Sequence, residues 1–114
     1  MSDRVRQLIV RLLPRGVCRV ELIAQHLGVD RRTVHRKLDA EGTSFSALVG
    51  VERRELAMRY VEGTDRPLTE VSALLGFSAP SAFSRWHAAE FGGSPARRRA
   101  RIHDDLGGGR RRSA

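Results

Sequence analysis

The stretch IAQHLGVD, residues 23–30, is matched 48 residues later by VSALLGFS, residues 71–78. Both stretches carry apolar residues at the same positions and a glycine, Gly28 or Gly76, where a sharp turn needs backbone freedom. Each runs directly into a further helical pattern, over residues 31–41 and 80–91. The repeat predicts two helix-turn-helix units, and a pair at this separation predicts two reading helices offered to one DNA duplex.

The charge of the chain favours a polyanionic partner. Its 114 residues carry a formal net charge of +8, from 20 arginines and one lysine, and only 5% are aromatic. Guanidinium groups suit planar two-bond contacts with phosphates and guanine edges. A GC-rich genome would also produce an arginine-rich protein, so charge alone leaves that alternative open. The length suits one compact domain, or two small lobes sharing a helix, and disfavours an enzyme with a deep cleft.

The sequence carries no sign of a membrane, secreted or catalytic protein. No apolar run approaches the ~20 residues of a membrane span and no signal-peptide pattern is present, so we expect a cytoplasmic protein. Cys18 is the only cysteine, which excludes an intrachain disulfide and a cysteine-based zinc site. The histidines lack ligand-like spacing, and there is no glycine-rich phosphate loop. We therefore expect no enzymatic activity, no cofactor and no metal.

Apolar spacing predicts seven helices and no strand. The predicted helices cover residues 5–13, 20–27, 31–41, 44–62, 67–75, 80–91 and 95–101. Asp30, Ser78 and Ser94 are the expected caps of the third, sixth and seventh helices, because their side chains can accept from free N–H groups of the first turn. The predicted fold class is all-α, with seven helices in two lobes and two helix-turn-helix units joined by a long linker helix.

The linker helix sets the predicted distance between the two units. A straight helix of 17 residues from Phe45 to Val61 spans roughly 26 Å at ~1.5 Å per residue. Successive major-groove faces on one side of B-DNA recur about every 34 Å. We therefore predict an asymmetric site read by a monomer, with any shortfall made up by bending the DNA. The linker residues expected to face solvent are Glu52, Arg54, Glu55 and Arg59.

A longer set of residues is similar to a known family. The residues that carry the similarity are Leu27-Gly28, Arg36, Leu38, Gly42-Thr43-Ser44-Phe45, Leu48, Arg53-Arg54-Glu55-Leu56-Ala57, Leu75-Gly76-Phe77-Ser78, Ser81, Phe83-Ser84-Arg85, Phe91-Gly92 and Ser94-Pro95. Over about residues 5–102 the chain resembles the DNA-binding domain of the AraC/XylS transcription regulators. The resemblance implies a bacterial domain whose third and sixth helices enter the major groove and whose fourth helix joins two lobes.

The resemblance also implies which residues read DNA. The family's groove-facing positions fall on Arg32, His35 and Arg36 in the first unit and on Ser81, Ser84 and Arg85 in the second. Arg36 and Arg85 each follow an inward-facing residue by two positions, so a guanidinium there can donate two bonds to guanine N7 and O6. The expected phosphate contacts are Arg31, Lys37, Arg97 and Arg98. Base reading has alternatives at these positions. Arg36 and Arg85 could instead be solvated or contact phosphate, and Ser81 and Ser84 could instead be capping or helix-surface hydroxyls.

Two stretches depart from the family pattern. The chain has Trp86-His87 after the Ser-Arg pair, and Ala88-Ala89-Glu90 where relatives are often basic and aromatic. We expect Trp86 to be a core residue, His87 to be buried as an uncharged ring, and the second unit to hold phosphates less well.

The predicted DNA-binding domain covers residues 1–104, with the first unit at about 20–41, the linker at about 44–62 and the second unit at about 67–91. A disordered basic tail is predicted at 105–114.

The C-terminal segment is the most basic part of the chain. The last 20 residues hold seven arginines and two aspartates, a net +5 of the total +8. This charge is either solvated or in salt-sensitive contact with flanking phosphates.

The expected function is a sequence-specific DNA-binding transcription regulator. Its expected partners are double-stranded DNA and, as a further candidate, RNA polymerase, with no membrane contact and no small-molecule effector site within the chain. The alternatives are the DNA-binding module of a larger recombinase or transposase, or of a DNA-repair methyl-acceptor protein. The sequence leaves open the operator, the choice between activator and repressor, and whether the chain acts alone or as a fragment without a sensing domain.

Overall fold

The described part of the chain is entirely helical. A computed structural model describes the backbone of residues 1–113 and the side chains of residues 1–104. Its α-helices are α1 (Ser2–Leu12), α2 (Val20–Leu27), α3 (Arg31–Ala40), α4 (Phe45–Ala57), α5 (Leu68–Leu74), α6 (Pro80–Phe91) and α7 (Pro95–Ser113). A 3₁₀ turn (Leu13–Arg15) follows α1, and a π turn (Met58–Glu62) follows α4. Over residues 1–113 no strand is present, and the predicted all-α fold with seven helices is confirmed.

Three helices begin at side chains that accept from the backbone N–H three residues on. The acceptor is a carboxylate oxygen of Asp30 for α3, at 2.7 Å, and the hydroxyl of Ser44 for α4, at 3.1 Å. Ser94 does the same for α7, at 3.1 Å. The caps expected at Asp30 and Ser94 are confirmed, so these helix starts follow from local chemistry.

The cap expected at Ser78 is wrong. The N-cap position of α6 is Ala79, whose side chain cannot accept, and Pro80 is the first residue of the helix. Proline has no N–H, so a first turn that begins with it has one donor fewer to satisfy. Buried Ser72 of α5 donates its hydroxyl to the Ala79 carbonyl at 3.3 Å. The start of α6 is thus tied to the preceding helix of the unit.

The helices enclose two separate hydrophobic cores. The first core is formed by Val5, Ile9, Leu12, Leu13, Ile23, Ala24, Val34, Leu38 and Val49. The second core is formed by Ala57, Val61, Val71, Leu75 and Phe83. Leu56 of α4 packs against both. Each helix-turn-helix unit therefore has its own core, and α4 passes from one to the other, which agrees with the predicted two lobes.

The linker is not the uniform α-helix expected from Phe45 to Val61. It is α-helical to Ala57 and continues as the π turn. The carbonyl oxygen of Tyr60 accepts from Thr64 Oγ1 at 2.6 Å and from Arg99 Nη2 at 2.9 Å. Side chains that enter a helical hydrogen-bond ladder are an established cause of local irregularity. These partners lie four and 39 residues away, and the distant one has no local signal.

Glu52 is buried, although the sequence predicts it to be solvated. Its exposed fraction is 8%, and α1, which packs along α4, brings Arg6 close enough to act on its charge. Burial raises the pKa of the Glu52 carboxyl, and nearby Glu55 raises it further, while Arg6 and Arg59 lower it. The polar stripe of α4 is therefore narrower than its charge pattern indicates.

The last helix, α7, extends well past Arg101, where the sequence predicts its end. The next turn still packs on the protein, because Ile102 and His103 are half-buried and His103 Nε2 lies 3.6 Å from Asp65 Oδ1. Packing of this kind supplies most of a helix's stability in a protein. The disordered tail expected at 105–114 falls on residues whose side chains lie outside the described part of the chain.

The turn glycines of the two units differ in their surroundings. Gly28 and Gly76 both have a left-handed backbone, with φ of 73° and 84°. A Cβ on Gly28 would meet nothing within 4 Å. A Cβ on Gly76 would lie 2.8 Å from Leu13 Cδ1 and 2.9 Å from the Leu13 carbonyl oxygen. The turn of the second unit therefore presses directly on the 3₁₀ turn after α1.

Candidate nucleic-acid interface

The outer face of α3 displays the residues expected to read DNA in the first unit. Val34 and Leu38 are fully buried in the first core, and this fixes the rotation of the helix. Arg32, His35 and Arg36 are exposed as a consequence. These three side chains line one shallow depression together with Asp39, Thr43 and Ser44. The exposed polar face of the first unit thus continues from α3 to the start of α4.

The second unit repeats this arrangement on α6. Phe83 and His87, four residues apart, are each 1% exposed and fix the rotation of the helix. Ser81, Ser84 and Arg85 are exposed. Both units therefore present a guanidinium two residues after a buried anchor.

An aromatic cluster supports the inner face of α6. The ring of Trp86 lies 5.5 Å from Phe77, 6.3 Å from Phe83 and 6.0 Å from Phe91, measured between centroids. Trp86 packs against the second core, so the core placement expected for it is confirmed. The aromatic residues of this unit therefore pack against the inner face of α6, opposite its exposed polar face.

His87 is buried as a neutral ring, as the sequence predicts. Its Nδ1 lies 2.6 Å from the Gly93 carbonyl oxygen, so Nδ1 carries the proton and donates it there. Burial lowers the pKa of His87, and the charge of Arg98 lowers it further, while Gly93 and Glu62 act in the opposite direction. The ring therefore connects α6 to the start of α7 without adding charge.

The residues expected to touch phosphate are in different environments. Lys37 and Arg97 are exposed. Arg31 is exposed and lies 3.4 Å from Glu21, in a surface ion pair that DNA could displace. Arg98 is half-buried, donates to Glu62 at 2.8 Å and has its guanidinium carbon 4.5 Å from the centroid of Phe91. Arg98 is thus held against the second core, unlike the other three.

Three arginines outside the predicted DNA-contacting set join parts of the fold. Arg53 Nε of α4 donates to the Leu75 carbonyl oxygen at 3.0 Å. Arg54, expected to be solvated, donates to Glu90 Oε2 at 3.2 Å. Arg99 donates to the carbonyl oxygens of Val61 and Tyr60 at 3.1 and 2.9 Å. Arginine that satisfies the carbonyls of helix ends is a structural use of this side chain.

One of these arginines had a detectable sequence signal. Arg53 lies four residues after Val49 and four before Ala57, and both of these are buried. Positions four apart share a helix face, so the spacing places Arg53 on the buried stripe of α4. No comparable signal exists for Arg54 or Arg99, whose partners are 36 to 39 residues away.

The described residues offer neither a cluster of metal ligands nor a membrane-spanning helix. They contain no group of three or more His, Cys, Asp or Glu that could hold a metal ion. No helix among them is long and apolar enough to cross a membrane.

Two turns with left-handed glycines, each followed by a helix with an exposed polar face, define a protein of the double helix-turn-helix class. A family described as a helix-turn-helix domain matches residues 23–101. The chain is 41% identical over 100 residues to the HTH-type transcriptional regulator VirS of Mycobacterium tuberculosis, covering 88% of this chain and 29% of that protein. It is 38% identical over 92 residues to the transcriptional activator NphR of a Rhodococcus species, covering 81% of this chain and 28% of that protein.

A solved structure has the same fold. The DNA-binding transcriptional dual regulator from Escherichia coli K-12 matches with a TM-score of 0.75 at 22% identity, over 88% of this chain and 95% of that one. The chain belongs to the AraC/XylS family of helix-turn-helix transcription regulators. It spans less than a third of the length of the two curated relatives described above.

Proposed function

We propose that this chain binds specific DNA sequences as the reading part of a transcription regulator, with α3 and α6 in two adjacent major-groove segments. The observation that carries the proposal is the display of Arg36 and Arg85 on two helices that rest on separate cores joined by α4. Two covalently joined reading units bind one duplex with an effective concentration that a single unit lacks.

Base recognition is assigned to the exposed residues of the two reading helices. Arg36 and Arg85 each donate two hydrogen bonds to a guanine, one to N7 and one to O6, which is the commonest specific contact in the major groove. The remaining positions, Arg32, His35, Ser81 and Ser84, contact neighbouring base edges. The hydroxyl groups of Ser81 and Ser84 can both accept and donate. Apart from the contact of Arg85, the second unit is therefore expected to discriminate between bases less sharply than the first.

Phosphate contacts position the domain along the duplex. Arg31, Lys37 and Arg97 are assigned to this role because they are exposed and flank the reading helices. Such contacts fix register without selecting sequence. Arg98 belongs to the same predicted group, and its bond to Glu62 makes it the least suited of the four to contact phosphate.

The alternatives from another functional class find little support. The relatives carry the names of transcription regulators rather than of recombinases or repair proteins. A methyl acceptor needs a reactive thiolate, whereas burial raises the pKa of the Cys18 thiol and makes it less reactive at neutral pH. We propose that the chain itself has no enzymatic activity and acts in the bacterial cytoplasm, with RNA polymerase as a further partner and no effector site of its own.

A stoichiometry measurement tests the proposal. Oligonucleotides selected in vitro for binding to this chain would be footprinted and then titrated in a gel-shift assay. We expect two protected segments centred about one helical turn apart, with one protein chain per duplex. A complex that forms only with two chains per site, or a single protected segment, would contradict monomeric reading of two segments.

A further inference from the structure

A single arginine fastens the linker helix to the turn of the second unit. Arg53 of α4 is half-buried, and its Nε donates to the carbonyl oxygen of Leu75, the C-cap residue of α5. Its guanidinium carbon also lies 4.3 Å from the ring centroid of Phe77, in the turn before α6. The arginine therefore makes a directed hydrogen bond and a stacking contact with adjacent parts of the same turn.

Arg53 lies where α4 passes from one core to the other. Val49, one helical turn before it, belongs to the first core, and Ala57, one turn after it, belongs to the second. The Gly76 turn also rests on Leu13, a residue of the first core. The joint between the two units thus includes α4, the Leu13 contact and the Arg53 contacts with Leu75 and Phe77.

The joint is not sealed by a continuous core. An open groove runs along the joint. It is lined by Cys18 of the first unit, by Val49 and Arg53 of α4, and by Trp86 and Glu90 of α6. A groove provides none of the close-packed contacts that hold two bodies at a fixed angle. The angle between the units therefore depends on the few contacts that cross the joint.

Arg54, the next residue of α4, holds the other end of the same reading helix. It donates to Glu90 Oε2 at 3.2 Å, and its guanidinium carbon lies 4.7 Å from the centroid of Phe91. This pair is exposed at the surface, where ion pairs contribute little. Arg53, half-buried and bonded to a backbone carbonyl, is the stronger of the two attachments.

We propose that Arg53 is a positioning residue that fixes the angle between the two units, and thereby the spacing of the two DNA segments that the chain accepts. The inference rests on the proposed reading of two segments. Arg53 itself has no place on the reading faces of α3 or α6, so it selects the distance between two sequences and not their bases. A stiff joint gives high affinity at one spacing, whereas a loose joint gives lower affinity over a wider range.

The test compares R53K with R59K on DNA of altered spacing. Lysine keeps the charge but loses the planar group that both bonds Leu75 and stacks on Phe77. Arg59 is an exposed residue of the linker, so R59K is the matched control. Oligonucleotides selected with the unaltered chain would be rebuilt with one to three base pairs inserted between the protected segments. Circular dichroism melting of each variant would establish that it is folded.

We expect the unaltered chain and R59K to lose about tenfold or more in affinity when the spacing changes, as a rigid bivalent binder does. We expect R53K to bind the original spacing several-fold more weakly and to lose about threefold or less on the altered spacings. An R53K protein that is folded and discriminates spacing as sharply as R59K would overturn the inference.

Cys18 gives a second readout that does not depend on DNA. It is the only cysteine of the chain and it lines the groove, where burial raises the pKa of its thiol and Arg53 lowers it. Its rate of reaction with a small disulfide reagent, corrected for the thiolate fraction of each variant, therefore reports opening of the joint. We expect a several-fold faster reaction in R53K than in R59K, and equal rates in the two variants would also overturn the inference. A selected site with one protected segment would instead refute the proposed function, even if the thiol rates differ as expected.

Discussion

Arginine residues of this chain differ in the chemistry available to them. Arg36 and Arg85 are exposed on α3 and α6, the proposed reading helices. Arg53, Arg98 and Arg99 are half-buried and bonded to carbonyl or carboxylate oxygens of the protein. The net charge of +8 therefore overstates the positive charge that is free to meet a phosphate backbone.

Replacement of Arg36 by alanine tests base reading at a single position. We expect R36A to lose about 1–3 kcal/mol of binding free energy on the selected site and much less on random DNA, because a bidentate bond to guanine is sequence-specific. K37A is the control, since a phosphate contact is lost equally on both DNAs. The measurement is fluorescence anisotropy at fixed salt. An equal loss on both DNAs for R36A would reassign it to a phosphate.

The buried imidazole of His87 makes the stability of the second unit depend on pH. Burial places its folded-state pKa below the unfolded value of about 6.5, so the folded state binds fewer protons than the unfolded state. The stability contributed by the neutral ring is present above about pH 6.5 and is lost as the pH falls through the folded pKa. Arg98 and Glu62 are the charged groups that influence the ring.

We expect thermal melting of the unaltered chain to fall more steeply between about pH 7 and pH 5 than melting of H87Q, which cannot titrate there. His26 is exposed, and H26Q should retain the steep dependence. Parallel melting curves for all three proteins over this range would show that His87 does not titrate differently on folding.

The two turn glycines differ in what an added Cβ would contact. G28A introduces a Cβ in a left-handed turn with open space around it, which costs about 1–2 kcal/mol. G76A has the same backbone penalty and also drives a Cβ into Leu13, so we expect an additional loss of about 1–3 kcal/mol from overpacking. Urea unfolding of both variants measures the difference. Equal losses would mean that the Leu13 contact yields without cost.

The elements with local signals could be predicted from the sequence. The bounds of α2 and α6 follow from apolar spacing, a turn glycine and a first-turn proline, and the start of α3 follows from Asp30. Burial of Glu52 and the π turn had no local signal, because Glu52 lies on a helix that α1 packs against and the π turn is bonded by Arg99, both distant in sequence. Tertiary contacts override local propensity at such positions.

The candidate site also has features that the local sequence predicts and features that depend on distant residues. The exposure of Arg36 and Arg85 follows from the buried positions of Val34 and Phe83 two residues earlier, which helical periodicity predicts. The engagement of Arg98 with Glu62 could not be predicted, since it joins residues 36 apart. Helical periodicity thus predicts which side chains lie outside the core. Contacts between residues distant in sequence then determine which of these side chains remain available to bind DNA.

Positive charge is concentrated toward the C-terminus of the chain. Removal of residues 107–114 deletes three arginines. We expect the slope of log affinity against log salt to fall by about 1 to 3 units, since each lost phosphate contact removes ~0.9. The preference for the selected site over random DNA should stay unchanged, because the reading helices are intact. Binding measured from low to physiological salt checks both, and a loss of preference would mean that the deleted residues help to read sequence.

We expect the π turn to make the linker tolerant of changes in length. Because such a turn holds one more residue per hydrogen-bonded ring than an α-helix, a one-residue deletion within Met58–Glu62 can be absorbed by conversion to ordinary helix. The same deletion within Phe45–Ala57 would instead rotate everything downstream by about 100° and point α6 away from the duplex. Footprints of the two deletion variants would distinguish these outcomes, and homologous chains should therefore vary in length at this turn before they do so elsewhere in the linker.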